Sequence, residues 1–347
     1  MAKIKFKILI GIMALMLIVG MTACNSKEVG SGNKDKEIIA IDAIDREVKR
    51  PESMDRLGVT CQGGATHQLS ILGASENIVA QTSMDGFPHL LKMYPRYKEV
   101  LDPGSFDEVN VEELLKVETD MVFVGIISIK GNELIEDAGI PTFTMFIGSA
   151  EIDTARREFE NVGKILGNEK RANELIKYWD KKLEMVEKLV DKVPRDERKK
   201  VYYAGEEITS ASSGKWGHSL IVGSGGINVT EEITKGARGS EISVEQVISW
   251  DPDVVVTQKR PQGIASIIND ERIQDLDVIK NKEVYSFPIG GFWWDRPSPE
   301  APLGFMWLAK TLYPEYTKGI DLKKETKEFY STFYDYQLSD EEYESFF

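Results

Sequence analysis

The feature that most constrains this chain is an internal repeat. Residues 109–124 align without a gap on residues 242–257. In each copy a good N-cap, Asn110 or Ser243, is followed three residues on by Glu113 or Gln246, the spacing of a capping box. A short helix follows, then an Asp (Asp120, Asp253), then a run of apolar residues. Such runs are buried on both faces, as in a parallel sheet. A second match precedes each copy, residues 72–80 against 222–230. Two matches in the same order imply two related α/β lobes.

Between the copies the pattern is helical. Asp153 is placed to cap a helix running to about Leu166, and Gly167 and Asn168 interrupt it. From Glu169 to about Lys192 there is no Gly or Pro, and Leu175, Trp179, Leu183, Val186 and Leu189 share one face. Pro194 follows as a stop signal. About 24 residues at 1.5 Å each span roughly 36 Å, enough to bridge two lobes. The Lys and Glu on the opposite face read as a solvated surface. Residues 299–347 are helical and aromatic and are expected to pack mainly on the C-terminal lobe.

The N-terminus supplies an address. Lys3, Lys5 and Lys7 precede a run of 16 uncharged residues, 8–23, short for a membrane span and suited to a signal peptide. The small residues before Cys24 resemble the lipobox of bacterial lipoproteins, although Met21 stands where Leu is usual. Residues 25–36, rich in Gly, Ser and Lys, suit a flexible tether. The expected organisation is a lipoprotein signal peptide at 1–23 and a lipidated Cys24 with its linker at 24–36. An N-terminal lobe (37–152), connecting helices (153–193), a C-terminal lobe (194–298) and terminal helices (299–347) follow. The protein is expected outside the cytoplasm, tethered by lipid to the outer face of a bacterial cell membrane and not spanning it.

Charge and cysteine content narrow the function. Net charge is -14, and the first 23 residues hold three of the 43 basic groups and none of the 57 acidic ones. A body so acidic repels phosphate backbones, which excludes nucleic-acid binding by bulk charge. Cys24 and Cys61 build neither a disulfide framework nor a four-thiolate zinc site, and Cys61 reads as a buried structural thiol. A tethered hydrolase needs a nucleophile–base pair or an open metal site. There is no Gly-x-Ser-x-Gly and no His-Glu-x-x-His, and only three histidines are present. No enzyme activity and no catalytic cofactor are expected; a non-transport sensor on the same fold stays open.

Two α/β lobes joined by one rigid helix on a lipid-tethered chain resemble the class III periplasmic binding proteins. Gly139 to Pro141, Gly163 to Gly167, Asp251 to Asp253 and the closing run from Trp294 through Trp307 to Pro314 carry the likeness over nearly the whole mature chain. The resemblance implies two Rossmann-like lobes and a single spine helix. It also implies a monomer that binds a ligand and delivers it to an ABC permease dimer with its ATPase. In that family one Glu on each lobe meets permease arginines; the matching positions are Glu112 and Glu245, the carboxylates that the repeat relates. The implied ligand is a metal chelate, foremost a ferric siderophore complex; haem, a corrinoid, or nickel or another metal held directly by histidine are the alternatives.

Five stretches qualify to line a cleft: residues 63–67, 84–89, 214–219, 259–261 and 290–296. They carry all three histidines, and His67, His218 and His89, with Asp85 or Asp295, are candidate metal ligands because imidazole suits transition metals. Trp216, Trp293 and Trp294 offer indole faces, and Arg296 and Arg260, with Arg238, offer guanidinium for carboxylate or phenolate oxygens. Neighbouring residues in extended backbone face opposite ways, so one of Trp293 and Trp294 is expected to see the cleft.

Overall fold

The computed structural model describes residues 37–61, 64–147, 150–212, 214–233, 240–258 and 262–347. An antiparallel hairpin, β1 (Ile39–Ile41) and β2 (Glu47–Lys49), leads into a four-stranded sheet. Its strands are β3 (Leu57–Val59), β4 (Ile78–Gln81), β5 (Met121–Gly125) and β6 (Thr142–Met145), all parallel. Helices α1 (Gly64–Ile71), α2 (Pro88–Met93), α3 (Val111–Lys116) and α4 (Ile129–Asp137) run between them. The chain then leaves through α5 (Ile152–Leu166) and α6 (Glu169–Val190).

The second half contains β7 (Lys200–Tyr203), β8 (Ser210–Ala211), β9 (Ile227–Asn228), β10 (Ser240–Glu241), β11 (Val254–Thr257) and β12 (Val284–Ser286). β8 and β10 form a separate antiparallel pair; the other four make a parallel sheet. Its helices are α7 (Gly214–Gly223), α8 (Val244–Trp250), α9 (Gly263–Ile268) and α10 (Asp277–Lys280). Three more close the chain: α11 (Ala301–Leu312), α12 (Leu322–Phe333) and α13 (Asp340–Glu344).

The sheets have one topology. The orders β4-β3-β5-β6 and β9-β7-β11-β12 both run second, first, third, fourth strand. The longer repeat falls on α3–β5 and α8–β11, and the shorter one enters β4 and β9. Capping is as the pattern requires: the Asn110 side chain accepts the N–H groups of Glu112 and Glu113, and Ser243 accepts that of Gln246. In open α/β sheets, ligands bind beyond the carboxyl ends of the strands where the order reverses. That point here lies between β3 and β5, and between β7 and β11.

Strand residues alternate between packing layers, as the two-residue period demands. Leu57, Val59, Met121 and Phe123 of the first sheet and Val201, Tyr203, Val254 and Val256 of the second belong to one continuous core. Val122 and Val124 face a separate layer with Leu114 and Ile135; Tyr202 and Val255 face another with Val247 and Ile279.

α5 and α6 are the single passage from one sheet to the other. Glu151, not Asp153, is the N-cap of α5, in a capping box with Thr154; Asp153 stands inside the helix. Gly167 ends it at φ +75°, a conformation that favours glycine. α6 buries Leu175, Trp179 and Val186, with Leu183 and Leu189 partly buried. Lys182 lies on this buried face and pairs with Glu325 of α12. The terminal helices also depart from expectation. α11 packs on α6 and α7, but the segment beyond it reaches the first half. Glu342 pairs with Lys92 of α2, Phe346 meets the His89 ring at 4.7 Å, and Tyr334 meets His67 at 5.3 Å. Aromatic side chains so numerous need more apolar surface than one lobe supplies, so they fill the seam between the two.

Candidate functional site

A cavity of about 100 Å³ lies where the two halves meet. The start of α1 contributes Gly64 and Gln68, Phe106 comes from the approach to α3, and Ile147 and Ala150 follow β6. α5 adds Ala155, Glu158 and Phe159; the loop before α11 adds Phe292, Trp293, Arg296 and Pro297. Phe106 and Ile147 both hold positive φ, 50° and 34°. Left-handed backbone costs a non-glycine residue free energy, and such strain gathers at ligand clamps.

The polar groups on this apolar wall are few. Gln68 is 3% exposed, and its Nε2 donor has no partner among the described residues. Arg296 Nε lies 3.5 Å from Asp295 Oδ2, and Asp295 in turn accepts the hydroxyl of Tyr203 on β7. The second sheet thus orients the cavity's cation. Burial works against the Arg296 charge, but Asp295 and Tyr203 outweigh it and hold the guanidinium above its ordinary value. Glu158 Oε2 accepts the Phe146 N–H at 2.5 Å. Burial pushes the Glu158 carboxyl up to about 7, a rise that the Phe146 N–H only partly offsets.

Trp293 and Arg296 line the cavity; the other described candidates do not. Trp294 is wholly buried, and its Nε1 donates to Glu300 Oε2 at 2.7 Å. Trp216 packs against Trp179 and Phe305 inside the core, because α7 turns that face toward α6 and α11. His67 is a second correction. α1 directs it inward against Phe292 and Tyr334, and it is fully buried, so its pKa falls to about 3 and the ring stays neutral. His89 packs on Phe346, and His218 sits 3.4 Å from the Asn228 amide, half-exposed on α7. The three rings are not brought together, and no group of three or more metal-ligating side chains occurs among the described residues. Asp85 is exposed, and Asp295 is the buried partner of Arg296. Cys24, Arg238 and Arg260 lie outside the described residues, as does the signal segment.

Sequence reasoning missed Gln68 and Glu158. For Glu158 a signal existed: it falls on the same helical stripe as Ala155, Phe159 and Val162, which α5 buries.

Elsewhere, Glu112 and Glu245 stand exposed at the first turns of α3 and α8. Each helix runs into the third strand of its sheet, so both glutamates lie at the sheet edge that carries the ligand loops. One turn along, Leu115 (49% exposed) and Ile248 (44% exposed) are also repeat mates.

Over residues 59–289 the chain matches the family described as periplasmic binding protein, and it belongs to that family. Molybdate-binding protein MolA of Haemophilus influenzae is 28% identical over 329 residues, covering 85% of this chain and 90% of MolA. The solved structure of MolA bound to molybdate aligns with a TM-score of 0.76 at 26% identity, over 87% of this chain and 99% of that one. Iron(3+)-hydroxamate-binding protein FhuD of Bacillus subtilis is 24% identical over 317 residues, 84% of this chain and 94% of FhuD. The two lobes are those of a class III substrate-binding protein of an ABC importer, an extracytoplasmic component that binds and delivers without catalysis.

Proposed function

We propose that this protein captures a compact metal oxyanion of the molybdate kind in the cavity beside Arg296 and delivers it to its ABC importer. The observation that carries the reading is the donor set: the partly buried Arg296 guanidinium and the Gln68 amide, whose Nε2 has no partner among the described residues, both line one small, largely apolar cavity. An unpartnered buried donor is costly unless a ligand accepts from it. Volume favours the same reading, since pockets for drug-sized ligands run to about 300–1,000 Å³ and this cavity holds about 100 Å³. A ferric hydroxamate or a haem needs the larger space. The likeness to MolA agrees with an oxyanion.

Delivery uses the two exposed glutamates. Glu112 and Glu245, related by the repeat, present matched carboxylates to a two-subunit permease, with Leu115 and Ile248 beside them as apolar contacts. Lipid at Cys24 holds the receptor at the membrane, and the protein works as a monomer.

Isothermal titration of the purified protein with molybdate, tungstate, ferric hydroxamate and haem tests the ligand. Stoichiometric binding of molybdate or tungstate supports the reading. Binding of the iron chelate or haem alone replaces it with the chelate.

A further inference from the structure

We infer that Glu158 is a ligand-contacting residue that meets the bound oxyanion as a neutral carboxylic acid, so that capture takes up a proton. The inference rests on the oxyanion reading above.

The geometry gives Glu158 two jobs. Oε2 is fixed by the Phe146 N–H, which ties the carboxyl to the segment just beyond β6. The same side chain forms part of the cavity wall with Gln68 and Arg296. A group that only anchored Phe146 would not need to stand on the wall of the ligand space.

Chemistry then decides the protonation state. A carboxylate on that wall repels an oxyanion, whereas a carboxylic acid donates its O–H to one of the ligand's oxygens. The charged and titratable groups around it do little to favour the carboxylate. Arg296, from the loop before α11, is held by Asp295, whose charge offsets it. Cys61, at the end of β3, is a thiol that burial keeps protonated. On α5 itself, Arg157 lies over the Phe146 ring and pairs with Asp45. Burial already brings the carboxyl to about 7, and a dianion beside it raises it further. The proton comes from solvent and resides on Glu158 while the ligand is bound; release of the ligand returns it.

Titrations with dilute molybdate, which stays a dianion between pH 6 and 8, test this in pairs of buffers that differ in ionisation enthalpy. A carboxyl that titrates near 7 in the free protein and stays protonated in the complex gives uptake of roughly 0.1 proton at pH 6 and roughly 0.9 at pH 8, with affinity about tenfold weaker at pH 8. Glu158→Gln keeps a donor and is expected to bind with a flat pH profile and no proton uptake. Glu158→Leu, which loses the donor and whose folding is checked by circular dichroism and thermal melting, is expected to bind weakly at every pH. Wild-type binding without proton uptake overturns the inference and leaves the oxyanion reading standing. So does an undiminished pH slope in Glu158→Gln, which would place the titrating group elsewhere, Glu300 being the nearest candidate by its pKa. Failure of molybdate and tungstate to bind at any pH overturns the oxyanion reading and this inference with it.

Discussion

Nε2 of His67 lies 3.4 Å from Oε1 of Glu300, and neither side chain reaches solvent. The contact is not an ion pair at neutral pH. Burial lowers His67 to about 3 and raises Glu300 to about 8, so the imidazole is neutral and the acid holds its proton for most of the time. Glu300 receives the Trp294 indole N–H, the Tyr334 hydroxyl and the Gly291 N–H. One side chain therefore joins α1, the loop that carries Trp293 and Arg296, and the end of α12.

Removing that side chain leaves the Trp294 and Tyr334 donors without an acceptor, whereas the Gly291 N–H keeps the Tyr330 hydroxyl. Glu300→Ala is expected to destabilise the protein by roughly 3–5 kcal/mol, since each orphaned buried group costs about 1–3 kcal/mol. Glu300→Gln keeps one acceptor oxygen and is expected to cost less than half as much. Urea unfolding curves measure both; equal losses would show that the hydrogen bonds contribute little.

The same two groups set how stability varies with pH. Glu300 titrates higher folded than its ordinary 4.5, so the native state binds more protons and stability is lost as pH rises toward 8. His67 titrates lower folded than its ordinary 6.5, so stability is lost as pH falls below 6.5. Between pH 6.5 and 8 the carboxyls dominate, and the melting temperature is expected to fall across that window. Glu300→Gln is expected to flatten most of the decline, read by thermal scans in a series of buffers. An unchanged slope would remove Glu300 as its source.

Arg296 is the cavity's cation, and a hydrogen bond to a charged group contributes about 1.5–3 kcal/mol. Arg296→Gln is expected to weaken molybdate binding by roughly 10–100-fold. Asp295→Asn, which loosens the guanidinium without removing it, is expected to cost less. Calorimetric dissociation constants rank the two, and the reverse order would count against direct contact by Arg296.

For the importer contact, Glu112→Arg combined with Glu245→Arg is expected to abolish uptake in cells while ligand affinity in vitro stays within twofold of wild type. Leu115→Asn with Ile248→Asn is expected to reduce uptake partially, as loss of apolar contacts beside an intact charge pair would. Normal uptake by the glutamate double variant would remove the docking role from both helices.

The sequence made the repeated units legible because their signals are local: a cap, a short amphipathic turn and an apolar run within sixteen residues. Trp293 and Trp294 show where local logic reaches a site. Alternation allows one of two neighbours to face the cleft, but which one depends on Glu300 accepting from Trp294. His67 was not legible, since the rings it packs against, Phe292 and Tyr334, lie far along the chain. Lys182 was not legible for the same reason: it stands among the apolar residues of α6, and its partner Glu325 lies far along the chain. Glu158 stood within reach of sequence reasoning, as an acid on an apolar stripe.

The repeat and the shared core pull in opposite directions. Two copies of one strand order suggest two units, each complete in itself. Yet Leu57, Val201, Trp294 and Phe346 all belong to the same packed interior. Neither copy closes its own inner face: expressed alone, each would offer water the apolar side of its sheet. The two copies share one strand order and one interior, so that half of the molecule is not a smaller receptor but an unfinished one.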